Sequence, residues 1–224
     1  TGGFPGIELC RHTATVRRYA ELEGDDFVII GGYESGIDAA FHLAHQGKQC
    51  RILDKAAPWE SGGSDPSIVL STYSFERMRT LVFKERVELL PNAAVTSVTQ
   101  DGEGFSVHTS DGQILHTPVP PLFAGGFDGS LKLVSDLFDQ REDGYPLLND
   151  QDESTIVPGL FLCGPAVRHD DHIFCFIYKY RQRFAVVAKA IATSMGLPAE
   201  GLETYRQWGM YLDDLSCCGG DCFC

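Results

Sequence analysis

Four of the eight cysteines, Cys217, Cys218, Cys222 and Cys224, crowd the last eight residues of the 224-residue chain. Thiolates at that density suit zinc, copper(I), mercury or iron-sulfur chemistry, and Gly219-Gly220 supplies a bend that converges them on one ion. A structural zinc site normally has two separated C-x-x-C arms, which this pattern lacks. The same thiols can exchange with disulfides: adjacent Cys217 and Cys218 form a strained ring when oxidised, and strained, exposed disulfides reduce easily. Metal capture, a terminal arm delivering thiols to a redox centre, and a reactive tail with neither role all stay open. Cys10, Cys50, Cys163 and Cys175 stand singly, and Cys50 and Cys163 fall in apolar strand patterns, where a buried thiol acts as a small hydrophobe.

A second pattern, Gly31-Gly32-Tyr33-Glu34-Ser35-Gly36, lies between a buried apolar run and a helical repeat. In a dinucleotide fingerprint, glycines let the backbone approach a pyrophosphate, and the amides and dipole of the following helix hold its charge. Asp54 follows Gly36 by 18 positions (54 − 36), close to the offset of about 20 at which an acidic residue meets the ribose hydroxyls. A carboxylate there bonds a 2′-hydroxyl and repels a 2′-phosphate, so within NAD(P)H the nucleotide NADH is slightly favoured, while adjacent Lys55 works the other way. Tyr33 takes the middle glycine position, where a side chain either displaces the pyrophosphate or forces another backbone path. A tight strand-to-helix turn without a ligand is the alternative.

Arg168, His169, Asp170 and Asp171 form a third cluster. His169 or His172 could pass protons near neutral pH, or the loop could simply cap a helix, with Asp170 or Asp171 as N-cap. Arg181 and Arg183 read as interface or solvent residues rather than catalytic ones.

These residues need elements to position them. Phe27 to Ile30 is a short continuous apolar run, the pattern of a strand buried on both faces of a parallel sheet. Ile37 to Ala44 has helical spacing and stops at Gly47, and Cys50 to Asp54 is a second strand, which completes a βαβ unit. Pro66 to Phe83 predicts a helix and Val87 to Leu90 a strand. Val95 to Val98, Phe105 to His108 and Gln113 to His116 alternate across the turn dipeptides Asp101-Gly102 and Asp111-Gly112, an antiparallel meander. Pro121 to Ala124 and Gly159 to Gly164 predict strands ending in glycine, Ile173 to Ser194 a long helix closed by Gly196 and Pro198, and Leu202 to Leu212 a short amphipathic helix. The order implies a nucleotide-binding domain over 24–122, inserted into a second domain made of 1–23 and 123–212, with a cysteine-rich tail at 213–224.

Composition narrows the classes of function. Hydrophobic residues make up 43% and charged ones 22%, the balance of a folded chain with ample core material. A net charge of −13 repels a phosphate backbone, so nucleic acid is not an expected partner. No apolar run reaches the roughly 18 residues of a membrane helix and no secretory signal opens the chain, which predicts a cytoplasmic protein without a membrane partner. The opening Thr1-Gly2-Gly3-Phe4-Pro5-Gly6 lacks Met and any element before it, and reads as a piece of a longer protein.

Thr1-Gly2-Gly3, the inserted βαβ unit with "GGYESGIDAA" and its meander, Phe123-Ala124-Gly125-Gly126-Phe127, and "TIVPGLFLCG" over Thr155 to Gly164 recur in that order in flavoproteins with two dinucleotide-binding domains. The chain resembles the thioredoxin-reductase-like branch, and most of all the bacillithiol-disulfide-reductase type. The resemblance implies a Rossmann-like α/β fold in which a NAD(P)-binding domain interrupts an FAD-binding one. It places the nicotinamide dinucleotide on Gly31 to Gly36 and Asp54, and FAD against Gly126, Gly164, Pro165 and the next helix. It implies hydride passage from NAD(P)H to FAD and on to a small-molecule or protein disulfide, in a possible homodimer. Three departures stand out: the flavin fingerprint expected before Thr1 is not in this sequence, Pro165 replaces an Asp that meets the ribityl chain, and no C-x-x-C lies in the inserted domain. The chain as given is therefore expected to retain FAD poorly. The competing class is a nucleotide-binding or soft-metal and thiol-handling protein without flavin turnover.

Overall fold

A computed structural model describes residues 3–63, 69–102, 104–127 and 129–216. They form two compact units, the first ending at Phe127 and the second holding residues 129–216.

The first unit is built on a five-stranded parallel sheet. Its strands are β1 (Arg11–His12), β2 (Asp26–Ile30), β3 (Gln49–Leu53), β4 (Val87–Leu90) and β8 (Leu122–Phe123), in the spatial order β1-β8-β2-β3-β4. Helix α1 (Glu34–His45) joins β2 to β3, while α2 (Thr72–Met78) and α3 (Leu81–Arg86) lead into β4. The remaining strands β5 (Val95–Asp101), β6 (Gly104–Thr109) and β7 (Ile114–Thr117) are the antiparallel meander. The architecture is the α/β class expected.

The continuous apolar run of β2 is explained by what covers each face. Phe27 and Ile29 join a core with Ile37, Ala40 and Leu43 of α1, whereas Val28 and Ile30 join Val98, Val107 and Leu115 of the meander. Complete burial of each such side chain stabilises by about 1.5–3 kcal/mol. Register does the rest: Val98 pairs with Val107 and Val107 with Leu115, so one apolar row crosses the meander.

Of the flanks 1–23 and 123–212, assigned from sequence to the remainder of the second domain, the described residues 3–23 and 123–127 contribute to this first unit. Arg11 and His12 of β1 pair with Leu122 and Phe123 of β8, which in turn pair with Ile29 and Ile30. Of the helix expected over Pro66 to Phe83, residues 66–68 lie outside the described residues, and the rest holds two short helices. Ser71 and Thr80 each turn a hydroxyl back to accept from an amide three residues on, Ser74 and Phe83, so each starts a new helix.

The second unit has little regular structure. It contains a hairpin of β9 (Arg168–His169) and β10 (His172–Ile173), helices α4 (Ile177–Tyr180) and α5 (Phe184–Ser194), and 3₁₀ turns over Ser130–Leu137, Arg181–Arg183 and Glu200–Trp208. Several expectations are corrected here. Gly159 to Gly164 is not a strand: only Phe161 makes a bridge, to Glu153. The long helix from Ile173 starts as a hairpin arm because Asp170, in left-handed backbone at φ 46°, reverses the chain and so caps nothing. Leu202 to Leu212 is a 3₁₀ turn followed by irregular chain.

Candidate functional site

Three glycines of the Gly31–Gly36 turn are imposed by close neighbours. A Cβ at Gly31, whose φ is 103°, would lie 2.5 Å from the Ala124 carbonyl oxygen, and one at Gly36 would lie 1.9 Å from that of Gly31. At Gly32 it would meet the Trp59 ring at 2.2 Å and Asp54 Cβ at 3.0 Å. The Gly31 amide donates to the Leu53 carbonyl at 2.9 Å, which sets the turn against the end of β3. The turn lies where strand order reverses, with β3 and β4 on one side of β2 and β8 and β1 on the other, the crevice in which open α/β sheets bind ligands.

The helix start beyond the turn is suited to an anion. Among the described residues no side chain caps α1, so the amides of Glu34 and Ser35 and the positive dipole end face a ligand, while the Gly36 amide donates to the Tyr33 carbonyl at 2.9 Å. Tyr33 does not obstruct it: the phenol hydroxyl donates to the Val69 carbonyl at 2.8 Å and the ring packs on the core. Glu34 also reaches away, accepting from the Ser71 amide at 2.6 Å, the Ser71 hydroxyl at 3.0 Å and the Ser74 hydroxyl. A cleft of about 790 Å³ opens alongside, walled by Ser35, Asp38 and His42 of α1, by Arg17 and Tyr19, and by Arg77 of α2. Arg77 is ion-paired to Asp38 and lies over the rings of Tyr73 and Phe41.

Asp54 sits at the end of β3 and accepts through both carboxylate oxygens, from the Gly32 amide at 2.7 Å and the Ala56 amide at 2.7 Å. A carboxylate offers about four lone-pair sites, so capacity for two further donors remains. Lys55, next to it, is exposed.

Residues 1–164 match the pyridine nucleotide-disulphide oxidoreductase family. The chain belongs to that family. Among solved structures, the bacillithiol disulfide reductase Bdr of Staphylococcus aureus is 22% identical, with 87% of this chain and 58% of that one covered at a TM-score of 0.66. The thioredoxin reductase of T. acidophilum is 17% identical, over 86% of this chain and 61% of that one, at 0.63. An engineered water-forming NADPH oxidase solved with NADPH is 16% identical, over 84% and 43%, also at 0.63. At these identities the likeness is one of fold, and the chain spans about 58% of the staphylococcal protein's length.

The residues that the resemblance assigns to a flavin are arranged differently from this family member's glycine turn. Gly126, at φ 78°, lends its carbonyl to His12 Nε2 at 3.0 Å, and Gly164, at φ 117°, has nothing within 4 Å of where a Cβ would stand. Pro165 brings neither a carboxylate nor an N–H.

His169 is held in a buried ionic cluster of the second unit. Its Nε2 lies 2.5 Å from Asp152 Oδ1, and Asp152, 0% exposed, also accepts from Arg183 Nε and Nη2 at 3.0 and 2.8 Å. Arg183 is 1% exposed and donates further to the carbonyls of Asp150 and Leu212. The expectation of a solvent or interface arginine is therefore corrected: its charge is neutralised by an aspartate 31 residues earlier in the chain. His172 Nδ1 lies 3.1 Å from the His169 carbonyl.

The four tail cysteines lie outside the described residues, and among the described residues no group of three or more His, Cys, Asp or Glu could hold a metal ion. Cys50 is buried in β3 as expected, but Cys163 is exposed, because its segment is not a strand. Burial, aided by Asp26, pushes the Cys50 thiol up to about 12, and burial with Glu8 pushes Cys10 up to about 11. Burial first, then Asp152, raises Cys163. These thiols stay protonated at neutral pH, the opposite of what a nucleophilic cysteine needs. Also among the described residues, no helix is long and apolar enough to cross a membrane.

Sequence reasoning passed over Trp59, Val69, Ser71 and Ser74. Ser71-x-x-Ser74 ahead of a helix is a capping signal that could have marked the serines; nothing local announces Val69 or Trp59 as partners of the glycine turn.

Proposed function

We propose that this chain carries the nicotinamide-dinucleotide site of an NAD(P)H-dependent flavoprotein oxidoreductase whose electrons end on a disulfide-containing acceptor. The observation that supports this best is the glycine turn itself: three positions where neighbours exclude any side chain, followed by a helix start that no side chain among the described residues caps. That disulfide reductases are among the structures of similar fold supports a disulfide as the acceptor class.

In this reading the nucleotide supplies hydride, and the residues here bind and orient. Amides at the start of α1 hold the pyrophosphate, Gly31 and Gly36 keep strand and helix close enough for that approach, and Asp54 takes a ribose hydroxyl on its free lone pairs. Asp54 also holds the Gly32 amide, so it shapes the turn as well as reading the ribose. NADH is favoured over NADPH, since a 2′-phosphate would face this carboxylate. The tail thiols Cys217, Cys218, Cys222 and Cys224 are the candidates for relaying electrons by their density, and the upward-pushed thiols of Cys10, Cys50 and Cys163 suit that role poorly.

Calorimetric titration with NADH and NADPH tests the site. Asp54→Ala is expected to weaken NADH by roughly tenfold, the value of a lost hydrogen bond to a charged group, and to weaken NADPH less. Equal losses mean that Asp54 only shapes the turn; no binding of either nucleotide by the wild-type chain overturns the proposal.

A further inference from the structure

Glu34 poses an electrostatic problem for the site just proposed. It is the first residue of α1, and a glutamate in a helix's first turn normally folds onto the helix's own free amides, drawn by the dipole. Those are the amides that the dinucleotide reading gives to a pyrophosphate. A carboxylate on them would compete with the ligand and repel it.

The structure shows why it does not settle there. Oε1 is taken by the Ser71 amide at 2.6 Å, and Oε2 by the hydroxyls of Ser71 at 3.0 Å and of Ser74. Among the described residues no cation pairs with Glu34, so three neutral donors hold its charge in place. Ser74 is 2% exposed, so its hydroxyl is aimed inward at Glu34 rather than at water. Ser71 is fixed in turn, because its Oγ also accepts from the Ser74 amide at 3.2 Å. The neighbouring Tyr33 hydroxyl ties the same stretch down through the Val69 carbonyl at 2.8 Å. The nearest other acid on α1, Asp38, is matched by Arg77 and lies 3.6 Å from His42 Nε2.

We propose that Ser71 and Ser74 are positioning residues that hold the Glu34 carboxylate off the first amides of α1 and so keep that anion site open. The inference rests on the dinucleotide reading above. It predicts suppression, which a purely structural clamp does not: removing the serine hydroxyls harms binding only while the glutamate is present.

The test is NADH affinity by calorimetry on the whole chain. Ser71→Ala/Ser74→Ala is expected to weaken NADH by roughly fivefold, the scale of a charge at a helix start. Adding Glu34→Ala to that double variant restores the affinity. Both variants lose the Ser71 cap equally, so the difference between them reports Glu34 alone, and thermal unfolding of each checks that they are folded. Should the double variant fail to fold, Ser74→Ala alone, with the cap intact, carries the same prediction with a smaller shift and the same rescue. A triple variant that binds as weakly as the double, or a double variant that binds like wild type, overturns the inference and leaves the nucleotide reading standing. Wild-type protein that binds neither NADH nor NADPH overturns both.

Discussion

The turn at Gly31–Gly36 and the turn at Gly164-Pro165 are both glycine-bearing, and they need glycine for different reasons. At Gly36, inside α1, the requirement is steric: a Cβ would stand 1.9 Å from the Gly31 carbonyl oxygen. At Gly164 the surroundings are open and only the backbone demands glycine, with φ at 117°. Steric glycines record how closely strand, turn and helix have been brought together, and that closeness is what makes an anion site. A conformational glycine records only that the chain bends. The first turn carries the dinucleotide reading for this reason.

The largest expected effect exploits that difference. Gly36→Val must push α1 away from the end of β2, destabilising by about 3 kcal/mol as overpacking does and weakening NADH binding more than a hundredfold. Gly164→Ala should cost about 1–2 kcal/mol for the left-handed backbone and leave NADH affinity alone. Urea denaturation and NADH titration of both variants measure the contrast; a Gly36→Val protein that binds normally removes the distinction between the two turns.

The buried cluster of the second unit sharpens the comparison between the two units. The first is held by apolar faces on both sides of β2, whereas Asp152 in the second gathers Arg183 and His169 from two other segments. Replacing one member of a buried ionic group strands the others without a partner, which costs about 3–5 kcal/mol. Asp152→Ala is expected to destabilise the second unit by that amount, and Asp152→Asn, which can still accept a hydrogen bond, by less. A loss below 1 kcal/mol in urea denaturation, on the scale of an exposed pair, would falsify the view that this cluster anchors the unit.

Local signals carried much of the first unit and little of the second. The apolar run of β2, the helical spacing of α1 and the Asp-Gly turns of the meander are local patterns, and the structure keeps them because alternate β2 side chains find a core on each face. Tyr33 was visible as a departure from the fingerprint, but its partner Val69 is 36 residues away, beyond any local pattern. In the second unit, apolar runs such as Gly159 to Cys163 fit strand, helix or irregular core equally well by periodicity. The turn at Asp170 decided the fate of Ile173, and a distant aspartate decided that Arg183 is buried. Charge is a good guide to exposure only when its counter-charge can be seen nearby in the chain.

The smallest effect concerns the exposed counterpart of that buried cluster. Arg206 joins Glu203 and Asp213 near the end of the described chain, with Nη2 2.6 Å from Asp213 Oδ2 and Nε 2.7 Å from Glu203 Oε2. The hydrogen bond from Arg206 holds the Asp213 carboxyl down at about 2. Because this folded-state value lies below the ordinary one, near 4, the stabilisation is present above about pH 4 and is lost as pH falls toward about 2. Side chains that are 43% and 40% exposed are screened by water and salt, so the contribution is far below that of Asp152. Asp213→Asn is therefore expected to lower the thermal midpoint by roughly 1–3 °C at neutral pH. The gap to wild type should close as pH drops through that window and should shrink with added salt. A gap that is independent of pH means that Asp213 acts through packing and not through its charge.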